Sequence, residues 1–343
     1  MDSRERVIRT LQFNYPDRVP RDLWALPGTY LSRKNELDEI YKLFPIDFTT
    51  PVFSYGKGYR SKGIPNIKGN YVDEWGCQWS VLSDGVIGEV KNPPITELEQ
   101  INKLKPPYEI LDNADLSKVN ESCSKTDKFV LICTTVRPFE RIQFLIGTER
   151  LFTELAYGTK EIFTLINIVH EFFLKEIELW CKTDVDGIQF MDDWGSQNNL
   201  LIPLNMWREI FKPLYKDYCD IIKKYKKFVF FHSDGNISLI FPDLIELGIN
   251  AVNSQLFCMD IEELGMKYKE KITFWGEIDR QYILPYGTKE EIKNAVKRIK
   301  NALYSEKGGI IAQCEMGIDV PKENIITVFE TWEEIDELYN RNR

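Results

Sequence analysis

Histidine is scarce in this sequence, and cysteine pairs and long apolar runs are absent from it. The 343 residues include only two histidines, and the seven cysteines are scattered without a Cys-x-x-Cys pair. An odd number of scattered cysteines is typical of reduced thiols in the cytoplasm. No apolar run is long enough to cross a bilayer, and the amino terminus lacks the apolar segment of a signal peptide. We therefore expect a cytoplasmic protein that does not contact a membrane.

Positive charge is also in short supply. Lysine and arginine together number 44 against 53 for aspartate and glutamate, which gives a net charge of -9. Such a surface repels polyanions on average, so the composition argues against a nucleic-acid partner. The hydrophobic fraction of 43% and the charged fraction of 28% are ordinary for a soluble globular protein.

A glycine-rich, phosphate-cradling turn of either common type is absent, which disfavours an open nucleotide-binding sheet. Instead, short β-favouring runs alternate with amphipathic, helix-spaced stretches from residue 180 onward. The predicted strands cover residues 18–24, 46–50, 128–134, 187–191, 227–231, 249–253, 272–275 and 309–312. Eight strands with intervening helices predict an α/β fold, a (β/α)8 TIM barrel, formed by a single domain over residues 1–343.

The first half of the chain is less regular than the second. We expect an irregular N-terminal extension and an insertion rich in Gly, Tyr and Trp over residues 55–94. The aromatic part of this insertion, from Tyr55 to Trp79, is a candidate cap over the pocket or contact in a homodimer.

Polar residues follow each of the last five predicted strands. They are Asp192 and Asp193, then His232 and Asp234, then Asn253 and Gln255, then Glu277 and Asp279, and finally Gln313, Cys314 and Glu315. In a (β/α)8 barrel the carboxyl ends of all strands open on one face, where residues far apart in sequence converge on one pocket. The sequence therefore predicts a site at the carboxyl end of the barrel.

His232, Asp234 and Cys314 are candidate metal ligands within this set. Imidazole, carboxylate and thiolate all bind zinc, and a catalytic zinc site takes about three ligands from the protein. The spacing of His232 and Asp234 places both side chains on the same side of a strand. Glu315 is an alternative to Asp234 as a ligand, or a residue that orients His232.

With these residues in view, the chain resembles the uroporphyrinogen decarboxylase superfamily over nearly its whole length. The resemblance is carried by RERV (4–7), YPDRVP (15–20), DVDG (184–187), DDWGSQ (192–197), WREIFKP (207–213), FHSDGN (231–236), LPYGT (284–288) and PKEN (321–324). It implies a (β/α)8 barrel, in agreement with the strand count.

The resemblance implies two alternative activities. True uroporphyrinogen decarboxylases use no metal and hold the carboxylates of their substrate with arginines that follow the first strand. The corresponding segment here, LWALPGTY (23–30), contains no arginine. Substrate carboxylates buried without those cations would be unpaired, at a severe cost in binding free energy. We therefore treat metal-free decarboxylation as the runner-up.

The other branch, the cobamide-dependent methyltransferases, is more similar to this chain in DDWG (192–195) and FHSDGN (231–236). Its thiol-methylating members bind zinc through a His-x-Cys pair and a distant cysteine. His232 and Cys314 match two of those ligands, whereas Asp234 replaces the middle cysteine. A site with one thiolate fewer is harder and more Lewis-acidic, which suits an ether, alcohol or amine as well as a thiol.

The resulting hypothesis is a zinc-dependent methyltransferase that moves a methyl group between a small substrate and a corrinoid protein. Neither histidine lies in the family's corrinoid-binding motif Asp-x-His-x-x-Gly, so the corrinoid would come from a partner. We assign catalytic roles to Asp192, Asp193 and Glu315, and substrate binding to Trp24, Trp194, Gln255, Trp275 and Glu277. A non-catalytic barrel that only binds a small molecule is a third alternative. The identity of the substrate and the direction of transfer are left open.

Overall fold

The computed structural model describes residues 1–341, with side chains through residue 336. Its strands are β1 (Arg21–Ala25), β2 (Phe48–Thr49), β3 (Gly69–Val72), β4 (Gln78–Val81), β5 (Glu89–Asn92), β6 (Phe129–Cys133), β7 (Gly187–Met191), β8 (Phe228–Ser233), β9 (Ala251–Ser254), β10 (Thr273–Trp275) and β11 (Ile310–Met316).

The α-helices are α1 (Ser3–Leu11), α2 (Pro27–Ser32), α3 (Lys34–Leu43), α4 (Tyr108–Asp112), α5 (Val119–Ser124), α6 (Pro138–Ile146), α7 (Thr148–Tyr157), α8 (Lys160–Cys181), α9 (Leu204–Ile210), α10 (Lys212–Lys224), α11 (Phe241–Glu246), α12 (Ile261–Tyr268), α13 (Ile283–Tyr286), α14 (Lys289–Leu303) and α15 (Lys322–Arg341). Short 3-10 helices cover Leu98–Lys103, Ser238–Ile240 and Leu256–Cys258. None of these helices combines the length and hydropathy needed to cross a membrane.

Eight parallel strands form the barrel, in the order β1-β11-β10-β9-β8-β7-β6-β2. The two ends of this order are joined through Asp47, whose backbone N–H donates to the Arg21 carbonyl at 2.9 Å. All eight predicted strands are present, so the predicted (β/α)8 barrel is confirmed. The expected insertion contains β3, β4 and β5, which pair as a separate antiparallel sheet between β2 and β6.

Side chains alternate between the two sides of each barrel strand because successive residues of a β-strand point in opposite directions. Those that face the axis form a small apolar cluster together with Val7 and Leu11. The strand residues of this cluster are Phe48, Phe129, Leu131, Phe230, Ala251, Trp275 and Ile311. Those that face outward join a larger core between the sheet and its helices. Val7 and Leu11 belong to α1, so this helix packs against the amino end of the barrel and leaves the carboxyl end for a site.

Candidate active site and metal centre

Three side chains with metal-ligating atoms meet at the carboxyl end of β7 and β8. One oxygen of Asp193 and one of Asp234 each lie 3.6 Å from Nε2 of His232. The three ligand atoms all lie within 4.8 Å of one another. His232 is buried, whereas both aspartates are partly exposed, so the group faces the open end of the barrel. The structure thus brings together His232 and Asp234, as predicted, and adds Asp193 to them.

Strand geometry explains this convergence. His232 lies in β8 beside Met191 of β7 and Asn253 of β9, and it faces the axis like Phe230 two residues earlier. Asp234 follows at the same two-residue spacing. The backbone N–H of Asp234 donates to Asp193 Oδ1 at 2.9 Å, which ties the β8 loop to the β7 loop.

Two glycines allow these loops to pack backbone against backbone. Gly235 has a φ of +75°, a conformation that L side chains rarely adopt. A Cβ at Gly195 would lie 2.4 Å from the backbone nitrogen of Asn236. Larger residues at either position would separate the loops that carry Asp193 and Asp234.

Asn253 fixes the tautomer of His232. The Asn253 side-chain amide donates through Nδ2 to the carbonyl of Trp275 at 2.6 Å, so its Oδ1 must face the imidazole. That oxygen lies 2.7 Å from Nδ1 of His232 and accepts a hydrogen bond from the Nδ1–H group. In the neutral ring Nε2 then carries the lone pair and is directed at the two aspartates.

This donor set fits a divalent metal ion. Two ligand atoms at about 2.1 Å from a tetrahedral zinc ion are about 3.4 Å apart, close to the separations between Nε2 and the two carboxylates. In addition, Asp234 Oδ1 is buried and has no hydrogen-bond partner among the described residues. A buried carboxylate oxygen without a partner is costly, and an ion bound by His232, Asp193 and Asp234 would provide the missing interaction.

Arg280, which the sequence analysis did not single out, crosses the same site. Its guanidinium forms an ion pair with Asp234, lies 3.2 Å from Glu315 and lies 3.8 Å from Glu277. Burial opposes its charge, but these three carboxylates outweigh burial and raise its pKa. Arg280 lies in the loop after β10. Its position shortly after a predicted strand is the only sequence signal for it.

Two glutamates beside Arg280 have elevated pKa values. Burial raises the pKa of Glu277 well above its ordinary range, and its Oε1 has no hydrogen-bond partner among the described residues. Burial likewise raises the pKa of Glu315, despite the opposing charge of Arg280. In both side chains the surroundings thus favour the protonated form more than in an exposed glutamate.

Glu140 also belongs to the site, although sequence analysis missed it. It lies in the first turn of α6. Burial, followed by the negative charge of Asp193, raises its pKa to about 7. A strand-end search does not find Glu140 because it comes from the helix that follows β6.

A cavity of about 140 Å³ adjoins the metal-ligating group. Its lining includes the predicted Gln255 and Glu277 together with Arg280, Phe257, Cys258 and Tyr282. Gln255 Oε1 accepts a hydrogen bond from the Gly235 N–H at 3.0 Å, which connects this cavity to the β8 loop.

Two of the predicted tryptophans lie next to His232 or beneath it. The ring of Trp24 is centred 5.2 Å from the imidazole and 5.2 Å from the ring of Trp275, which it meets edge to face. Both indole N–H groups donate to Asp22 Oδ2, at 3.0 Å from Trp24 and 2.9 Å from Trp275. Asp22 thereby holds these two rings in place.

The structure corrects the placement of Cys314. Strand β11 continues to Met316, so Cys314 lies within the strand and not after it. Its neighbour across β1 is Leu23, and both side chains belong to the outer core between sheet and helices. Burial also raises the pKa of the Cys314 thiol. The prediction that Cys314 joins His232 and Asp234 in holding a metal is therefore wrong.

Asp192 and Trp194 also point away from the site. Asp192 has no exposed surface; it accepts hydrogen bonds from the N–H groups of Phe139 and Glu140, both at 2.9 Å, and so caps α6. Trp194 is equally buried and stacks on Phe139, with ring centroids 4.2 Å apart. Both side chains contact helix α6, outside the barrel strands, so neither the catalytic role of Asp192 nor the binding role of Trp194 fits this placement.

Comparison with known proteins gives two findings on family and fold. A model of the family described as uroporphyrinogen decarboxylase (URO-D) matches residues 72–335. Among solved structures, a methyltransferase from Methanosarcina mazei is similar, with a TM-score of 0.72 and 14% sequence identity over 98% of this chain and 99% of that chain.

An endo-1,4-beta-xylanase from Caldicellulosiruptor owensensis is less similar, with a TM-score of 0.31 and 12% sequence identity over 65% of this chain and 77% of that chain. No curated protein sequence matches the chain.

Proposed function

The chain belongs to the uroporphyrinogen decarboxylase (URO-D) family, and from that premise we propose that it is a zinc-dependent methyltransferase. It would move a methyl group between a small substrate and a corrinoid carried by a separate protein. The observation that carries this proposal is the group of His232, Asp193 and Asp234 at the barrel mouth, with the lone pair of His232 Nε2 directed at both carboxylates.

In this proposal His232, Asp193 and Asp234 hold the ion. A zinc ion there would supply a Lewis acid that polarises the atom to which the methyl group is attached. Because Cys314 lies outside the group, the donor atoms are one nitrogen and carboxylate oxygens, a harder set than two thiolates. This set favours an oxygen or nitrogen atom over sulfur as the carrier of the methyl group.

The surrounding residues have separate roles in the proposal. Trp24 and Trp275 form an apolar wall that excludes water from one side of His232. Glu277 and Glu315, whose raised pKa values favour the protonated form, would donate a proton to the atom that the methyl group leaves. Arg280 positions both glutamates by contacting their carboxylates.

The barrel mouth offers few unpaired cations, which disfavours the runner-up, decarboxylation of a polycarboxylate. Arg280 already contacts Asp234, Glu277 and Glu315, and Arg137 already lies 3.8 Å from Glu140. The segment 23–30, which begins in β1, contains no arginine. Several substrate carboxylates would therefore lack partners there, at a cost in binding free energy. A neutral methylated compound needs no such cations.

A methyl-transfer assay with free cob(I)alamin in place of the partner's corrinoid tests the proposal. Zinc-loaded protein is mixed with methanol, a methoxylated phenol or a methylated amine, and methylcobalamin is followed by its absorbance. We expect methylcobalamin to form with at least one donor and to be lost in His232→Ala. Turnover of uroporphyrinogen by metal-free protein, with no methylcobalamin from any donor, would contradict the proposal.

A further inference from the structure

A second cavity, of about 660 Å³, lies outside the barrel in the insertion between β2 and β6. It shares no lining residue with the cavity that Glu277 and Arg280 line. Its walls come from the loop after β2, from the β3–β4 connection and from the 3-10 helix Leu98–Lys103 with the residues that follow it. We call it the insertion groove.

The insertion groove is lined by cations in a chain that is acidic as a whole. Arg60, Lys62, Lys103 and Lys105 contribute to its walls, and no carboxylate does so among the described residues. None of these four cations takes part in a salt bridge within the described part of the chain. Four like charges around one cavity repel one another, and a bound anion would relieve that repulsion.

Two acidic residues next to or bonded to lining residues of the groove are already engaged. Glu74 lies 3.6 Å from Arg141, and Glu109 accepts a hydrogen bond from the Tyr59 N–H at 2.9 Å. One guanidinium nitrogen of Arg60 donates to the Lys105 carbonyl at 2.6 Å, which anchors this cation at the groove. The remaining N–H groups of a guanidinium can donate to a ligand.

The floor of the groove is apolar. Trp75 and Ile95 line it and are almost completely buried, whereas the ring of Tyr59 is 83% exposed at its edge. The volume lies within the range of about 300–1,000 Å³ that is usual for small-molecule sites. An apolar floor surrounded by cations suits a ligand with an apolar or ring-shaped body and several acidic groups.

We propose that the insertion groove binds a small organic polyanion, which carries two or more phosphate or carboxylate groups on an apolar or ring-shaped body. This site is independent of the metal-ligating group, and it does not require the proposed methyl transfer.

Calorimetric titration tests this proposal, with ATP as the phosphate probe and citrate as the carboxylate probe. The test variant is Lys62→Glu/Lys103→Glu, and both residues are exposed, so the fold should be retained. The matched control is Lys269→Glu/Lys297→Glu, which makes the same change in net charge at two exposed lysines. Lys269 follows α12 and Lys297 lies in α14, and neither lines the groove. Circular dichroism and thermal unfolding verify that both variants are folded.

We expect at least one probe to bind the parent saturably, more weakly at high salt because exposed charges are screened. The test variant should bind it at least about tenfold more weakly, while the control should stay within about twofold, since only contacts in the groove are lost. Stronger binding of ATP would identify phosphate as the acidic group, and stronger binding of citrate would identify carboxylate. The proposal is overturned if neither probe binds, if both variants weaken binding equally, or if the test variant binds like the parent.

Discussion

At the scale of single residues, the candidate site depends on a contact that leaves one nitrogen of an imidazole available to a metal ion. Asn253 cannot rotate its amide without losing its hydrogen bond to the Trp275 carbonyl, so it presents an acceptor to His232. Partners of this kind orient metal-binding histidines, and their loss typically costs 10- to 100-fold in metal affinity.

Replacement of Asn253 should therefore weaken zinc binding without removing a ligand. We expect Asn253→Ala to lower zinc affinity by about 10- to 100-fold, measured by competition with a chromophoric chelator. Asn250→Ala is the matched control, because Asn250 bonds the Val229 N–H at the opposite end of the barrel and should leave the affinity unchanged. Equal zinc affinities for the parent and Asn253→Ala would show that this contact does not orient His232 for metal binding.

A second single residue, Asp22, makes the free energy of unfolding depend on pH. Burial raises its pKa from an ordinary value of 3.8 to about 6, although two indoles and the Leu23 N–H donate to it. The folded protein thus binds this proton more tightly than the unfolded chain does. The resulting stabilisation is complete below pH 3.8 and is lost as the pH rises through about 6.

Comparison of the parent with Asp22→Asn isolates this contribution. The free energy of unfolding of the variant relative to that of the parent should rise by about 2 kcal/mol from pH 4 to pH 7, because only the parent must ionise a buried carboxyl group. Denaturant unfolding at several pH values measures this difference. A difference that stays constant with pH would refute the assignment.

At the scale of elements, the direction of each side chain from its strand decides which residues form the site. His232 and Asp234 lie close together because a spacing of two keeps them on one side of β8, and their role as metal ligands remains a prediction. The same rule places Gln313 and Glu315 on one side of β11 and Cys314 on the other. The β-favouring run ends at residue 312, which predicts that Cys314 follows the strand, whereas β11 continues to Met316.

Sequence patterns could predict the barrel and its open end, but not the whole site. Each barrel strand has a local signal, namely a short β-favouring run that ends in polar residues. Glu140 has no such signal and Arg280 has only a nearby strand end, because their positions depend on how a helix and a loop fold back over the mouth. The cap formed by Asp192 is likewise a tertiary contact, since α6 begins more than fifty residues earlier in the chain.

Asp192 and Asp193 provide a paired test of the side-chain directions. They are adjacent in sequence, but Asp192 faces helix α6 and Asp193 faces His232. Asp192→Ala should destabilise the protein by about 2 kcal/mol, since the first turn of α6 loses its acceptor, but it should retain zinc. Asp193→Ala should lose zinc affinity with little change in the stability of the metal-free protein.

Denaturant unfolding of metal-free protein and elemental analysis of zinc-loaded protein measure the two effects. If Asp192→Ala unfolded like the parent and Asp193→Ala retained full zinc affinity, these assignments would be wrong.

At the scale of the whole molecule, the barrel has one covered end and one functional end. Helix α1 packs into the amino end, while the candidate metal ligands, raised-pKa glutamates and tryptophan rings gather at the carboxyl end. The family predicted from sequence motifs is confirmed by the family model. Zinc and a partner that supplies a corrinoid remain our proposals.

The most direct test of the central claim is elemental mass spectrometry of tag-free protein after zinc reconstitution. The parent, His232→Ala and Cys314→Ser are compared under the same conditions. The structure predicts close to one zinc per chain in the parent, loss of zinc in His232→Ala and retention in Cys314→Ser, because Cys314 faces the outer core. A parent without zinc, or a His232→Ala variant that retains it, would contradict a metal centre built on His232.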